Sequence, residues 1–270
     1  MKIIILTGSS FRHTFFRKYL AGAKDVNVVK TFCEDSEGSL EDIVQKDAGT
    51  KNLREKHLIA REKSEEDFFR LFVEATPDQS NPVTLKRGKV NEPQYTEDII
   101  SEKPDLLIAY GCSIIKGPLL SAFKGHFLNV HLGLSPYYRG GGTNFWPLVN
   151  QEPEYVGATF MHIDAGIDTG QIVHQIRASY GWGDTPSQIG NRLIREMADV
   201  YLKTILKFGE LASLPQLPVP DNEHYYRKRD YTEESVEKLY ANFADGMIER
   251  YLNEKEERCR KAPILINPAL

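Results

Sequence analysis

Residues 128–175 read LNVHLGLSPYYRGGGTNFWPLVNQEPEYVGATFMHIDAGIDTGQIVHQ. The run opens as a short strand in which Phe127, Leu128 and Val130 are apolar, while Asn129 and His131 stand two residues apart. Side chains alternate along a strand, so this amide and this imidazole share a face. Pro136, Arg139 and three consecutive glycines, Gly140 to Gly142, follow. Two further apolar runs, Tyr155 to Ile163 and Gln171 to Ile176, flank Asp164 and the turn Gly166-Ile167-Asp168-Thr169-Gly170, which predicts a hairpin-like extension. An amide, an imidazole and a carboxylate can therefore meet at one sheet edge.

Upstream of this stretch, Lys2 to Leu6 and Asp105 to Tyr110 are continuous apolar runs, the pattern of central parallel strands buried on both faces. Thr7-Gly8-Ser9-Ser10 leads from the first of these into a helix marked by Phe11, Phe15, Phe16, Tyr19 and Leu20. Such a turn is either an anion site at a helix N-terminus, with Arg12 and His13 adding charge, or a tight turn with Ser9 or Ser10 as N-cap. Val26 to Phe32 reads as a second strand, and Asp35 to Lys51 as polar loop with a short helix. Leu53 to Glu74 reads as an amphipathic helix with Leu58, Phe68, Leu71 and Phe72 at helical spacing. Val83 to Val90 predicts a short strand, and Gln94 to Glu102 a helix ending before Pro104.

Downstream, Thr143 to Val149 reads as a short helix carrying Trp146, and Thr185 to Phe208 as a long one. Leu214 to Pro220, with three prolines, is extended and linker-like. Tyr225 to Lys261 holds the basic run Arg227-Lys228-Arg229 and then a helix with Val236, Leu239, Phe243 and Met247 on one face, for which Asp230 and Glu233 make a capping pair. Strands alternating with helices predict an α/β fold, a doubly wound and mostly parallel Rossmann-like sheet with the hairpin extension and a C-terminal helical tail. The expected division is a catalytic domain over residues 1–208 and a proline-rich connector with helical tail over 209–270.

Hydrophobic residues make up 41% of the 270, enough for a sizeable core, and the formal net charge is −4. That balance disfavours broad nucleic-acid binding, which needs a basic surface. No apolar run reaches the ~18 residues of a membrane span. Cys33, Cys112 and Cys259 are odd in number and widely spaced, the pattern of reduced thiols in a cytoplasmic protein, and no Cys/His cluster has metal-ligand spacing. Gly8-Ser9-Ser10 does not meet Gly-x-Gly-x-x-Gly, which argues against a dinucleotide oxidoreductase.

The order Asn-x-His-x-x-x-x-Pro-x-Tyr-Arg-Gly followed by Asp-x-Gly-x-Asp-Thr-Gly resembles the folate-dependent formyltransferases. That family includes glycinamide ribonucleotide formyltransferase, the catalytic domain of methionyl-tRNA formyltransferase and nucleotide-sugar N-formyltransferases. The resemblance runs from about Lys103 to Gln175 and extends over Met1 to Asp35. It implies a formyl donor, 10-formyltetrahydrofolate, and an acceptor amine. It puts the family's catalytic Asn, His and Asp on Asn129, His131 and Asp168. It also implies that Tyr110, Ser113, Ile114, Ile115 and Asp164 face the donor, with Ser9, Ser10, Arg139 and Tyr138 as substrate-binding candidates. The chemistry suits these residue types. An amine attacking a formyl carbon generates an oxyanion, which an amide N–H and an imidazole N–H stabilise best in a dry site. A carboxylate beside the imidazole orients it and can relay the amine's proton. Taken singly, each residue has an ordinary structural reading, and Asp168 before Thr-Gly is a good turn residue in any protein. Arg139 either grips a substrate phosphate or pins its loop, and Tyr137, Tyr138 and Trp146 are candidates for stacking on a substrate.

About fifty residues follow the proline-rich stretch and the chain opens directly on its first strand. Against the resemblance, these features make a small acceptor such as an amino-sugar nucleotide the expectation. Glycinamide ribonucleotide, methionyl-tRNA, donor hydrolysis and a non-catalytic folate- or nucleotide-binding protein remain the alternatives.

Overall fold

A computed structural model describes residues 1–37, 42, 44, 53–220 and 224–270. Its centre is a seven-stranded sheet in the order β3-β2-β1-β4-β5-β7-β8. The strands are β1 (Lys2–Thr7), β2 (Asn27–Glu34), β3 (Pro82–Leu85), β4 (Leu106–Tyr110), β5 (Phe127–His131), β7 (Gly157–His162) and β8 (Ile172–Arg177). The first five of these run parallel, and β7 and β8 return antiparallel as the expected hairpin. A separate two-stranded sheet pairs β6 (Tyr138–Gly140) with β9 (His224–Tyr226). The chain reverses direction across the sheet between β1 and β4, so the carboxyl ends of β4 and β5 frame the crevice where open α/β sheets bind ligands.

The unbroken apolar runs explain the layering. In β1, Ile3 and Ile5 enter one core while Ile4 and Leu6 enter the other, all fully buried. Helices α1 (Phe11–Ala21), α2 (Leu53–Ala75) and α6 (Pro186–Leu206) bury side chains in the first core. Helices α3 (Pro93–Ser101) and α4 (Pro118–Ala122) supply Ile99 and Leu119 to the second. Each such fully buried aliphatic side chain contributes about 1.5–3 kcal/mol. At the start of α6 the Thr185 hydroxyl accepts from Gln188 N, and the Gln188 side chain accepts from Thr185 N. Across the core, Tyr201 of α6 donates its hydroxyl to Leu128 O at 2.9 Å, fixing the strand that carries Asn129 and His131.

Several elements depart from the sequence expectation. The strand expected over Val83–Val90 stops at Leu85, because Gly88 turns the chain at φ 84 into a short 3-10 turn. In α2 the buried stripe is His57, Leu58, Glu65 and Phe69; Leu71 is 82% exposed, since 3.6-residue periodicity rotates it well away from that face. The C-terminal helix is two, α7 (Glu233–Ala244) and α8 (Met247–Lys261), broken at Gly246 with φ 72. Its cap is Thr232 with Ser235; Asp230 instead closes the Arg227 turn, and Glu233 accepts from Leu53 N. The helix carrying Trp146 is shortened to α5 (Trp146–Val149). Most of the loop-and-helix expected over Asp35–Lys51 lies outside the described residues. Val236, Leu239, Met247 and Ile248 of α7 and α8 belong to the same buried cluster as α1, α2 and α6.

Candidate active site

On β5, Leu128 and Val130 are buried and Asn129 and His131 are half-buried, as alternation along the strand requires. The β7–β8 turn returns Asp168 to them. Its backbone is left-handed at φ 53, a conformation that Asp tolerates better than most residues. The turn is tight: a Cβ on Gly170 would lie 1.7 Å from His162 O, and one on Gly166 1.9 Å from Thr169 Oγ1. Asp168 Oδ1 faces His131 Nδ1 at 3.3 Å, and its Oδ2 accepts from Gly140 N at 3.3 Å. His131 Nε2 is buried and has no hydrogen-bond partner among the described residues. Beside it Gly133 carries no side chain; a Cβ there would sit 2.7 Å from Nε2. The imidazole is thus oriented at one nitrogen, and its other nitrogen is left without a partner among the described residues.

The loop after His131 is set by a buried polar network. Thr159 Oγ1 donates to Gly133 O and accepts from Ser135 N, while Gln175 Nε2 donates to Ser135 O at 2.6 Å. The Ser135–Pro136 peptide is cis. Arg139 Nη2 donates to Ile167 O at 3.2 Å, so this guanidinium pins the Asp168 turn, one of the two roles open to it in the sequence.

Next to the trio lies a cleft lined by Cys112, Ser113, Ile114, Ile115, Asn129, Met161 and residues 162–164 and 166–170 of the turn, with ≈ 590 Å³ of empty space including its open mouth. Its walls mix apolar side chains with backbone and two carboxylates, Asp164 and Asp168, and apolar walls with a few placed polar groups are the usual lining of a small-molecule site. Both Asp164 oxygens already serve the turn, accepting from Thr169 Oγ1, and Oδ1 also accepts from Gly166 N at 2.9 Å. The Ser113 hydroxyl and N–H both go to Glu34, whose buried carboxylate also accepts from Gly88 N. Burial pushes the Cys112 thiol up to about 12, with the Glu34 charge adding to it, so the thiol stays protonated.

Other candidates fall elsewhere. The Tyr110 ring packs on His13 and Phe16, with centroids at 4.9 and 5.1 Å, and is not part of the cleft lining; strand alternation turns it into the helix layer. Tyr138 is fully buried, its hydroxyl donating to Glu152 and accepting from Asn150, its ring stacked on His224; no face is left for a substrate. Trp146 gives its face to Tyr226, and the Tyr137 hydroxyl donates to Pro263 O. Ser9 is exposed, and the Ser10 hydroxyl pairs with His13 Nδ1 at 2.8 Å instead of capping α1. Neither serine lines the cleft. Arg12 is paired with Glu65 of α2 at 2.7 Å. Sequence reading missed Glu34, Gln175 and the Gly140 N–H, and it set aside as an ordinary surface or core histidine His162, which lines the cleft. Of these only Glu34, an acid ending an apolar strand, carried a signal in the sequence.

Residues 1–205 match the family model described as formyl transferase. The chain belongs to that family. A methionyl-tRNA formyltransferase of Desulforamulus reducens is 34% identical over 130 residues, 48% of this chain and 40% of that protein. The chain spans less than half the length of this and other curated relatives it matches. Among solved structures, glycinamide ribonucleotide transformylase 1 from Symbiobacterium toebii has a TM-score of 0.52 at 19% identity, covering 78% of this chain and 88% of that one. A 4-N formyltransferase from Francisella tularensis has a TM-score of 0.54 at 18% identity, covering 85% and 77% respectively. These likenesses share the α/β fold described above.

Proposed function

We propose that this formyl transferase moves a formyl group from 10-formyltetrahydrofolate to the primary amine of a small acceptor, of the amino-sugar nucleotide kind. The observation that carries the reading is the His131–Asp168 pair, with His131 Nε2 buried and unpartnered among the described residues, while Asn129 and Asp168 line the adjoining cleft. Ile114, Ile115 and Asp164 are the side chains that would hold the donor, whose contribution is an activated formyl group. The acceptor nitrogen's lone pair forms the new C–N bond, and negative charge builds on the formyl oxygen. Asn129 Nδ2 and His131 Nε2–H stabilise that charge. The donor would leave by cleavage of its bond to the formyl carbon, its nitrogen keeping the electron pair and receiving the proton relayed from the amine. Asp168 holds His131 by Nδ1 and accepts the proton shed by the amine, directly or through water.

The formal net charge of −4 supports a small acceptor over RNA. The curated relatives make methionyl-tRNA the second acceptor to test. The test is tetrahydrofolate release with a panel of amino-sugar nucleotides, glycinamide ribonucleotide, methionyl-tRNA and no acceptor. Release that depends on one small amine and is lost in His131→Ala supports the reading. Release on methionyl-tRNA alone replaces the acceptor, and equal release with no acceptor replaces the transferase with a hydrolase.

A further inference from the structure

The segment beyond the family match reaches back to the reacting pair. From the structure we infer that Tyr226, on β9, is a positioning residue for Asp168 and through it for His131; this rests on the N-formyltransferase reading. Strand β9 lies after residues 1–205 and pairs parallel with β6, aligning Tyr226 with Gly140. Gly140 is the residue whose N–H donates to Asp168 Oδ2. Tyr226 holds the next residue, Gly141, from two sides. Its carbonyl accepts from Gly141 N at 2.8 Å, and its ring lies flat on Trp146, centroids 4.1 Å apart at 8°. Trp146 in turn donates Nε1–H to Gly141 O at 3.0 Å, so the stack fixes Gly141 while the strand pairing sets Gly140 beside Tyr226. The Tyr226 hydroxyl accepts from Asn150 Nδ2 at 3.0 Å, the amide that also donates to Tyr138.

The fit has no slack. Gly140 sits at φ 89, and a Cβ on it would lie 2.2 Å from Tyr226 O. A glycine with that freedom wanders unless its neighbours hold it. Tyr226 supplies the hold, and the direction of the Gly140 N–H sets which way Asp168 turns its second oxygen toward His131 Nδ1. Tyr226 touches neither reacting group. It acts by limiting the angles at which Asp168 can meet the imidazole, and displacements of about 1 Å at such a pair cost up to about a hundredfold in rate.

Three variants and two readouts test this. In Tyr226→Ala and Tyr226→Leu, kcat falls about ten- to a hundredfold while KM for the formyl donor stays within about twofold. Tyr226→Phe keeps the ring and the backbone pairing and restores kcat. Independently of turnover, the ring-nitrogen NMR signals of His131 move in Tyr226→Ala toward those of Asp168→Asn and stay at wild-type positions in Tyr226→Phe. Tyr226→Leu fills the ring's space and serves if the alanine variant does not fold. Wild-type kcat with unmoved His131 signals in a folded Tyr226→Leu overturns the proposal, as does an equal loss in Tyr226→Phe. If the wild-type protein turns over no acceptor, the formyl-transfer reading fails and the His131 signals alone decide the positioning claim.

Discussion

Asp168→Asn separates electrostatics from folding at this site. The carboxylate accepts on both oxygens, from Gly140 N and from the His131 Nδ1 side, each at 3.3 Å. Asparagine keeps one acceptor and replaces the other with an NH₂ donor, so one of the two N–H groups must lose its partner whichever way the amide turns. If the amide serves Gly140, its NH₂ faces His131 Nδ1 and favours the tautomer with the proton on Nε2, but the charged imidazolium loses its counter-charge. If it serves His131, the Gly140 N–H is orphaned. A hydrogen bond to a charged group is worth about 1.5–3 kcal/mol, and at ~1.4 kcal/mol per factor of ten the loss in kcat is roughly ten- to a few hundredfold. Stability should hardly change, because asparagine tolerates the left-handed backbone at φ 53 as aspartate does. The assay is kcat at saturating donor and acceptor, read beside a thermal melt. A kcat within about twofold of wild type, with an unchanged melt, would refute the role given to this carboxylate.

Gly133→Ala brings a Cβ to 2.6 Å from Thr143 and 2.7 Å from His131 Nε2, so kcat should fall at least about tenfold; a fully active variant would show that Nε2 faces no reacting atom. In Glu34→Gln one acceptor oxygen on the Ser113 loop becomes a donor, so KM for the formyl donor should rise about tenfold with kcat kept, and steady-state kinetics at varied donor check this. Burial, with repulsion from Arg61, pushes His57 from 6.5 down to about 4, so the unfolded chain binds the proton more tightly than the native one. The stability that neutral His57 contributes is therefore present above pH 6.5 and is lost as pH falls toward 4. At ~1.4 kcal/mol for each tenfold in proton affinity it amounts to at most about 3 kcal/mol. Burial lowers His174 in the same direction, and its Nδ1 accepts from Asn267 N, a bond that protonation breaks. Urea unfolding at pH 7 and pH 5 reads the sum, and His57→Gln should flatten the difference; equal slopes in both proteins would count against it.

The fold could be read from local pattern because a parallel strand covered on both faces leaves an uninterrupted apolar run, as Ile3 to Leu6 and Leu106 to Ala109 do. The pairing of Asn129 with His131 followed from the two-residue period of one strand. The meeting of Asp168 with His131 was legible only through the motif order that the chain shares with its family, since nothing local folds residue 168 onto residue 131. Side-chain direction was harder. Tyr110 and Tyr138 sit in the stretches that line the site, yet strand alternation sends one into the helix layer and burial closes the other against Glu152 and Asn150. The tail was the least legible part. Its Arg227-Lys228-Arg229 run reads as a basic stretch, and the pairing of the preceding His224–Tyr226 with Tyr138–Gly140, more than eighty positions earlier, exists only once the chain has closed on itself. Sequence alone determined which residues could carry the chemistry, because residue type and strand period are local properties. Tertiary structure decided which of them face the cleft and what holds them, because contacts between distant segments depend on packing that no local pattern encodes.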